Sequence, residues 1–306
     1  MSELGGVPLS AVGVEQAGGR WRYAFPMLFA LLLAPGALMA QRVVEGHDFE
    51  EPEGRLLGFY AAAVAFSPAG FGASDGALTL GLELTYIPWL DASQRRASID
   101  KPEATNLAPV FPRPRLGVRL PGDFTLEASW IPPLQLFDVE ANLVGLAVSR
   151  PLAQLAGVTI APRVWATAGR VRGAMTCNED TMLGHGTELE TYYATVCRGH
   201  ESDDWFEPRL LGGEVMATRP LLGGTVQAYA SVGARYDRTK FDIGVYMPNG
   251  GRDPDHPILE IDTVRPHGSF GAAWHAGRRW WLGAEGYYAP GSLFTARVMA
   301  RWTVRP

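Results

Sequence analysis

The chain has 306 residues, with 27 Lys and Arg against 32 Asp and Glu, a formal charge of -5 and only two cysteines. That acidic balance excludes nucleic acid as a natural partner, because phosphate binding needs a basic surface. The 36 glycines, 23 prolines and 10% aromatics suit tight turns and crowded walls, with Trp and Tyr at the two lipid–water interfaces.

In chain order, the basic Arg20-Trp21-Arg22 precedes one apolar block, Ala24 to Ala40, broken by Pro35-Gly36. Residues 1–40 therefore read as an N-terminal extension and a secretory signal peptide cut after Ala40, which implies export. Residues 41–54 read as a short N-terminal segment or a first strand. From residue 55 to 306 the chain alternates: Leu78, Leu80, Leu82, Leu84 and Tyr86 share one face of a two-residue period, Thr79, Gly81, Glu83 and Thr85 the other.

Strands are expected at 55–66, 77–88, 113–120, 124–131, 139–150, 158–171, 207–219, 225–238, 259–275, 279–288 and 293–304. The short connections at 121–123, 151–157, 220–224 and 277–278 read as periplasmic turns, and 89–112, 172–206 and 239–258 read as long extracellular loops. Single-chain bacterial barrels have even strand counts. The fold expected is therefore all-β: one antiparallel up-and-down transmembrane β-barrel of about 12 strands, a missing one being sought in Gln41–Glu53 or at Asp237–Met247, with 10 as the alternative. A secreted β-sandwich binding protein would also alternate, but strands of twelve residues with aromatics at their ends suit a bilayer better.

Charge assigns the faces. Glu83, Arg113, Arg115, Arg119, Glu127, Asp138, Glu140, Arg163, Glu214, Arg235, Arg265, Glu285, Arg297 and Arg301 fall largely on the polar phase of their strands and should point into the lumen, since an arginine on the lipid face near midplane costs about 2–4 kcal/mol. Acids and bases are similar in number, so a lumen crossed by mutually neutralising ion pairs is expected. Arg113, Arg115 and Arg119 form the one single-sign ladder, giving weak anion selectivity if Glu127, Asp138 and Glu140 do not cancel it. Leu82→Arg is expected to impair assembly far more than Glu83→Ala, because the two face opposite media.

Cys177 and Cys197 lie in the longest loop and are expected to form a disulfide in an exported protein. No zinc signature accompanies them. Glu201, Asp203 and Asp204 are the only weak candidates for a cation, so no metal and no cofactor is expected.

Residues 55–306 resemble bacterial outer-membrane β-barrel proteins as a class, through periodicity and not through a family motif. That resemblance implies an outer-membrane location, contact with outer-membrane lipid and lipopolysaccharide, and the barrel-assembly machinery as partner in biogenesis. It leaves the oligomeric state open. A passive porin-like channel or a structural barrel is the leading expectation, and a transporter of hydrophobic solutes is the alternative. Transporters of fatty-acid type place an N-terminal plug in the lumen, and 41–54 is short for one. His267, Ser269 and Glu285 resemble the His-x-Ser plus Glu set of outer-membrane lipid A deacylases, whose site faces lipid, whereas His267 and Ser269 share the lumenal phase of Arg265. A lipid hydrolase is thus a further alternative, and the protein is not expected to be an enzyme.

Overall fold

The computed structural model describes residues 43–69, 78–90, 96–98, 101–102, 108–136, 139–177, 197, 199–247, 249–253, 258–277 and 279–305. The expected leader and Asp138 lie outside them. In chain order the elements begin with strand β1 (Val44–Gly46), helix α1 (Pro52–Ala63), β2 (Leu78–Tyr86) and a small separate hairpin of β3 (Arg96–Ser98) and β4 (Lys101–Pro102). There follow β5 (Val110–Leu120), β6 (Phe124–Leu136), β7 (Val139–Ser149), β8 (Ala153–Leu155), β9 (Val158–Gly173) and β10 (Asp204–Leu221). The chain closes with β11 (Val226–Asp242), β12 (Ile258–His275), β13 (Trp280–Ala289) and β14 (Leu293–Arg305).

Ten strands form a closed antiparallel ring in the order β2, β5, β6, β7, β9, β10, β11, β12, β13, β14 and back to β2. The count in the ring is ten, the alternative expected, with β1 and β8 paired outside it. Ten of the eleven expected strands each correspond to a wall strand, and the eleventh, 55–66, is α1 and the chain just after it. The odd count is resolved by removing a strand and not by finding one. Leu56-Leu57-Gly58-Phe59-Tyr60-Ala61-Ala62-Ala63 lacks two-residue alternation, and Pro52 stands in the first turn, where its missing N–H costs nothing. Leu56, Leu57, Phe59, Ala61, Ala62 and Ala63 are all buried. A helix that is apolar on every side must be surrounded, and the lumen surrounds this one.

The walls show the expected facing. On β2, Leu80, Leu82, Leu84 and Tyr86 are exposed while Thr79, Glu83 and Thr85 are buried; on β14, Phe294 and Val298 are exposed while Thr295, Arg297, Met299 and Arg301 are buried. Trp130, Trp274, Trp280 and Tyr288 also stand on the outer surface. An apolar exterior around a polar interior, with no unpaired edge over most of its height, is what a bilayer demands of a sheet. Among the described residues no helix is long and apolar enough to cross a membrane.

The wall is uneven in height. At the long-loop end the loops run over 87–109, 174–203 and 243–257, the first shifted toward the N-terminus and the other two inside the expected bounds, whereas β6 and β7 are separated by 137–138 alone and β13 and β14 by 290–292. β9 to β12 are 16 to 18 residues long and β13 only 10. β12 pairs with β13 from Gly268–Tyr288 to His275–Trp281 and no higher. Above that, β1 lies parallel to β12, with Val44 opposite Ile258, and fills part of the missing height. The chain then turns inward through Phe49, whose ring sits against Gly58 and Gly291. A Cβ at Gly58 would lie 2.4 Å from that ring, so a helix this close to the turn needs glycine there.

Cys177 and Cys197 are disulfide-bonded. The bridge packs on Val245, and Ser202 and Asp204 tie the loop base by accepting from the backbone N–H groups of Cys177 and Thr176.

The facing of the wall gives the first expected outcome. Leu82→Arg should cost about 2–4 kcal/mol of folding free energy in lipid, measured by denaturant titration in vesicles. Leu152→Arg, on a short connection outside the bilayer, should change it by less than about 0.5 kcal/mol.

Candidate functional site: the plugged lumen

The lumen is occupied by α1 and by the extended segment 64–69 that follows it. A backbone threaded through a barrel has no neighbouring strand, so its carbonyls need other donors. Arginines from the wall supply them. Arg113 on β5 donates to Val64 O at 2.8 Å and Ala65 O at 3.0 Å. Arg115, two residues on and on the same face, donates to Pro68 O at 3.1 Å and to Ser67 O. From β9, Arg163 donates to Phe66 O at 2.8 Å, and from β14, Arg297 donates to Ala65 O at 3.1 Å and to Ser67 Oγ. The Phe66 ring lies among three of these guanidinium groups, 4.2 Å from Arg115, 5.2 Å from Arg163 and 5.5 Å from Arg113. The negative end of the α1 dipole points toward Arg113 and Arg297, which bind just past its last turn.

Each arginine is in turn neutralised. Glu83 lies 3.0 Å from Arg115, 3.6 Å from Arg113 and 4.0 Å from Arg297, and accepts from Thr85 at 3.0 Å. Glu127 accepts from Arg163 at 2.9 Å and lies 3.6 Å from Arg115, while Glu214 accepts from Arg163 at 2.6 Å. Glu285 accepts from the Ala69 N–H at 2.8 Å and from Tyr229 at 3.0 Å, so an acid on the wall also grips the plug. Higher up, Arg235 bonds Asp237 at 2.9 Å and Tyr287 at 3.0 Å and reaches Gly58 O of α1 at 3.4 Å. Arg301 lies over the Trp281 ring at 5.5 Å, on the same inward face of β14 as Arg297.

Several sequence-based expectations change. The ladder of Arg113, Arg115 and Arg119 is split: the first two are buried in the network, but Arg119 reaches the rim, is exposed and pairs with Asp123 at 2.8 Å. Glu140 does not face the lumen. It stands opposite Arg172 in register, on the outer phase of β7, because Val139, Ala141 and Leu143 take the inner one. Arg265 does face inward, but it sits apart from the network, against Phe49. Glu83 is fully buried between arginines, so its removal cannot be mild.

The hydrolase set is not assembled. Ser269 Oγ bonds Ser231 Oγ at 2.9 Å, His267 Nε2 faces Glu214 at 3.6 Å, and Glu285 is committed to Tyr229 and Ala69. His267 is walled by Trp165 and Tyr287, with ring centroids 5.7 and 5.8 Å away, and is a packed lumenal residue. The weak cation candidates also have other tasks: Asp203 pairs with Arg172, and Asp204 accepts from Ser202 and from the N–H groups of Thr176 and Gly244, while Glu201 is exposed. His47, Glu51 and Glu53 do gather their ligand atoms within 4.8 Å, with Glu51 accepting from the imidazole at 2.8 Å. Acids in the first turn of a helix are satisfied there by its dipole, and that is what they do for α1.

Above the charged layer, between α1 and the long-loop ends of the walls, is an apolar pocket of about 70 Å³. Phe59, Tyr60, Ala63 and Val64 form its floor; Ile87, Ala108, Phe111, Val139, Val171, Met175 and Phe206 form its sides. The floor residues and Phe66 were not marked by periodicity, since a lumenal helix has no exposed face to set a phase; Tyr229 and Tyr287, on the inward face of β11 and β13, carry no charge that would single them out.

The fold is a closed antiparallel β-barrel with an apolar exterior, of the kind seen in outer-membrane β-barrels, and its lumen is plugged by the segment that precedes β2. No protein-family model and no curated protein sequence matches the chain. Among solved structures it is similar to the N-terminal β-barrel domain of Pseudomonas aeruginosa OprF, at 8% identity and a TM-score of 0.26, covering 74% of this chain and 98% of that one. It is similar also to the Escherichia coli outer membrane protease OmpT, at 9% identity and a TM-score of 0.34, covering 74% and 94%. A third similar structure is the Ralstonia pickettii toluene transporter TbuX, at 10% identity and a TM-score of 0.30, covering 78% and 92%.

Glu83→Ala should destabilise the barrel by about 3–5 kcal/mol, because it strands buried guanidinium groups. Denaturant titration in vesicles should therefore place it at least as low as Leu82→Arg. A loss below about 1 kcal/mol would mean that the network does not hold the plug as described.

Proposed function

We propose that the protein takes up small apolar solutes through the outer membrane, with the apolar pocket above the plug as the first binding site. The observation that carries this reading is the pocket's composition: buried aromatic and aliphatic side chains at the long-loop end of a lumen that is charged below. Apolar solutes gain about 25 cal/mol per Å² on leaving water for such a surface, whereas ions and sugars gain nothing there. A 70 Å³ pocket suits a ring or a short alkyl segment, not a folded or highly hydrated molecule.

Further passage requires movement of segment 64–69, which is held by hydrogen bonds to its carbonyls and not by side-chain interlock alone. Bonds of that kind can be exchanged for water or for other acceptors. A second reading, a structural barrel with a sealed lumen, is favoured by the same network: Arg113, Arg115 and Arg163 are matched by Glu83, Glu127 and Glu214, which opposes an ion-selective pore.

Benzene, a single apolar ring, separates the two readings. The purified barrel should bind it with a measurable heat in titration calorimetry, and Val139→Trp, which fills the pocket, should weaken binding about tenfold, or about 1.4 kcal/mol, with heat-modifiability retained. Equal binding by both proteins would remove the pocket as the site and leave the structural reading. Wild type in planar bilayers should show no steady ionic conductance.

A further inference from the structure

We propose that the notch above the β13–β14 hairpin binds the anionic phosphate head group of an outer-leaflet lipid, with Arg265 as the principal ligand. The notch is a cavity of about 470 Å³. Its lining combines residues of opposite strand phase: Phe49, Arg55 and Arg265 from the interior with Tyr288 and Phe294 from the outer surface. In a continuous β-wall the sheet itself separates those two faces. They can border one cavity only where the wall stops, and it stops here because β13 ends at Ala289 while β12 continues to Ile258.

Arg265 is the group that gives the notch its chemistry. Its guanidinium carbon lies 3.4 Å from the centre of the Phe49 ring, and one Nη donates to Pro290 O at 2.9 Å. Its Nε is buried with no hydrogen-bond partner, and among the described residues no carboxylate lies within 4.0 Å of its nitrogens. The other inward arginines Arg113, Arg115, Arg163, Arg235 and Arg297 each have such a carboxylate. Arg55, also at the notch, is half-engaged by Glu50 at 3.4 Å.

A guanidinium held by stacking, with an unpartnered Nε and no carboxylate within 4.0 Å, fits a phosphate monoester through its N–H donors, the acid in the notch lining, Glu50, being paired with Arg55. The occupant is a membrane lipid, because Tyr288 and Phe294, about half exposed, continue the notch onto the lipid-facing surface, where acyl chains lie. This site is separate from the apolar pocket, and neither depends on the other.

The test is native mass spectrometry of the full mature barrel released from detergent, with dioleoyl phosphatidic acid, dioleoyl phosphatidylcholine and inorganic phosphate as probes. Wild type should retain one phosphatidic acid at least tenfold more tightly than phosphatidylcholine. Arg265→Gln should lose about tenfold of that affinity, Phe294→Ala should lose several-fold, and Arg219→Gln, on the far rim, should lose none. Heat-modifiability confirms that each variant is folded, and Phe294→Ala alters only an outward side chain. Unchanged phosphatidic acid binding in both Arg265→Gln and Phe294→Ala would overturn the proposal. So would inorganic phosphate that binds as tightly as phosphatidic acid and displaces it, since the site would then serve a free anion.

Discussion

The barrel depends on a problem of unpaired carbonyls. A peptide threaded through a closed sheet has neither water nor a strand beside it, and each unsatisfied carbonyl there costs on the order of a few kcal/mol. Arginine solves this better than any other side chain, because its five donors in a fixed fork can reach two carbonyls and an acid together. Arg163 does so with Phe66 O, Ser67 O and the carboxylates of Glu127 and Glu214. Once arginines are buried for that purpose, carboxylates must be buried beside them. The mixed-charge lumen follows from the plug, and plug and wall are one interacting unit.

The second constraint is the height of the wall. A hairpin that turns at 290–292 leaves the upper part of β12 without a neighbour. Unpaired edges are not tolerated in lipid. β1 covers part of that edge as a parallel strand, which is available only because the chain lies there before it turns inward through Phe49 to α1. Plug and edge cover are thus produced by one N-terminal segment. The low hairpin also places a cavity at the side of the wall beside Arg265.

The ten wall strands, their facing, the disulfide and the inward arginines of β5, β9, β11 and β14 were legible from residue order alone. Alternation reports facing directly, because neighbouring strand residues meet different media, and a charge cannot sit on the lipid side cheaply. Leu82 and Glu83 are resolved that way without any knowledge of the fold. Arg119 and Glu140 were misjudged for a reason that also lies in periodicity. Phase gives the face but not the depth, so a rim arginine looks like a buried one, and the phase of β7 could not be carried over from β6.

Residues 52–69 show the boundary between the two kinds of information. Pro52 and the unbroken apolar run to Phe66 mark a segment that is buried on all sides, but the same run is compatible with a strand or a helix, and only its surroundings decide. What the sequence by itself determined is every property fixed by the contrast between lipid and lumen, since that contrast acts on each residue separately. The tertiary structure alone decided that the lumen is filled, that Arg113, Arg115, Arg163 and Arg297 converge on one short peptide, and that Arg265 stands apart from them. Those depend on barrel closure bringing β5, β9, β12 and β14 around a common axis, and no local pattern records distances across a barrel.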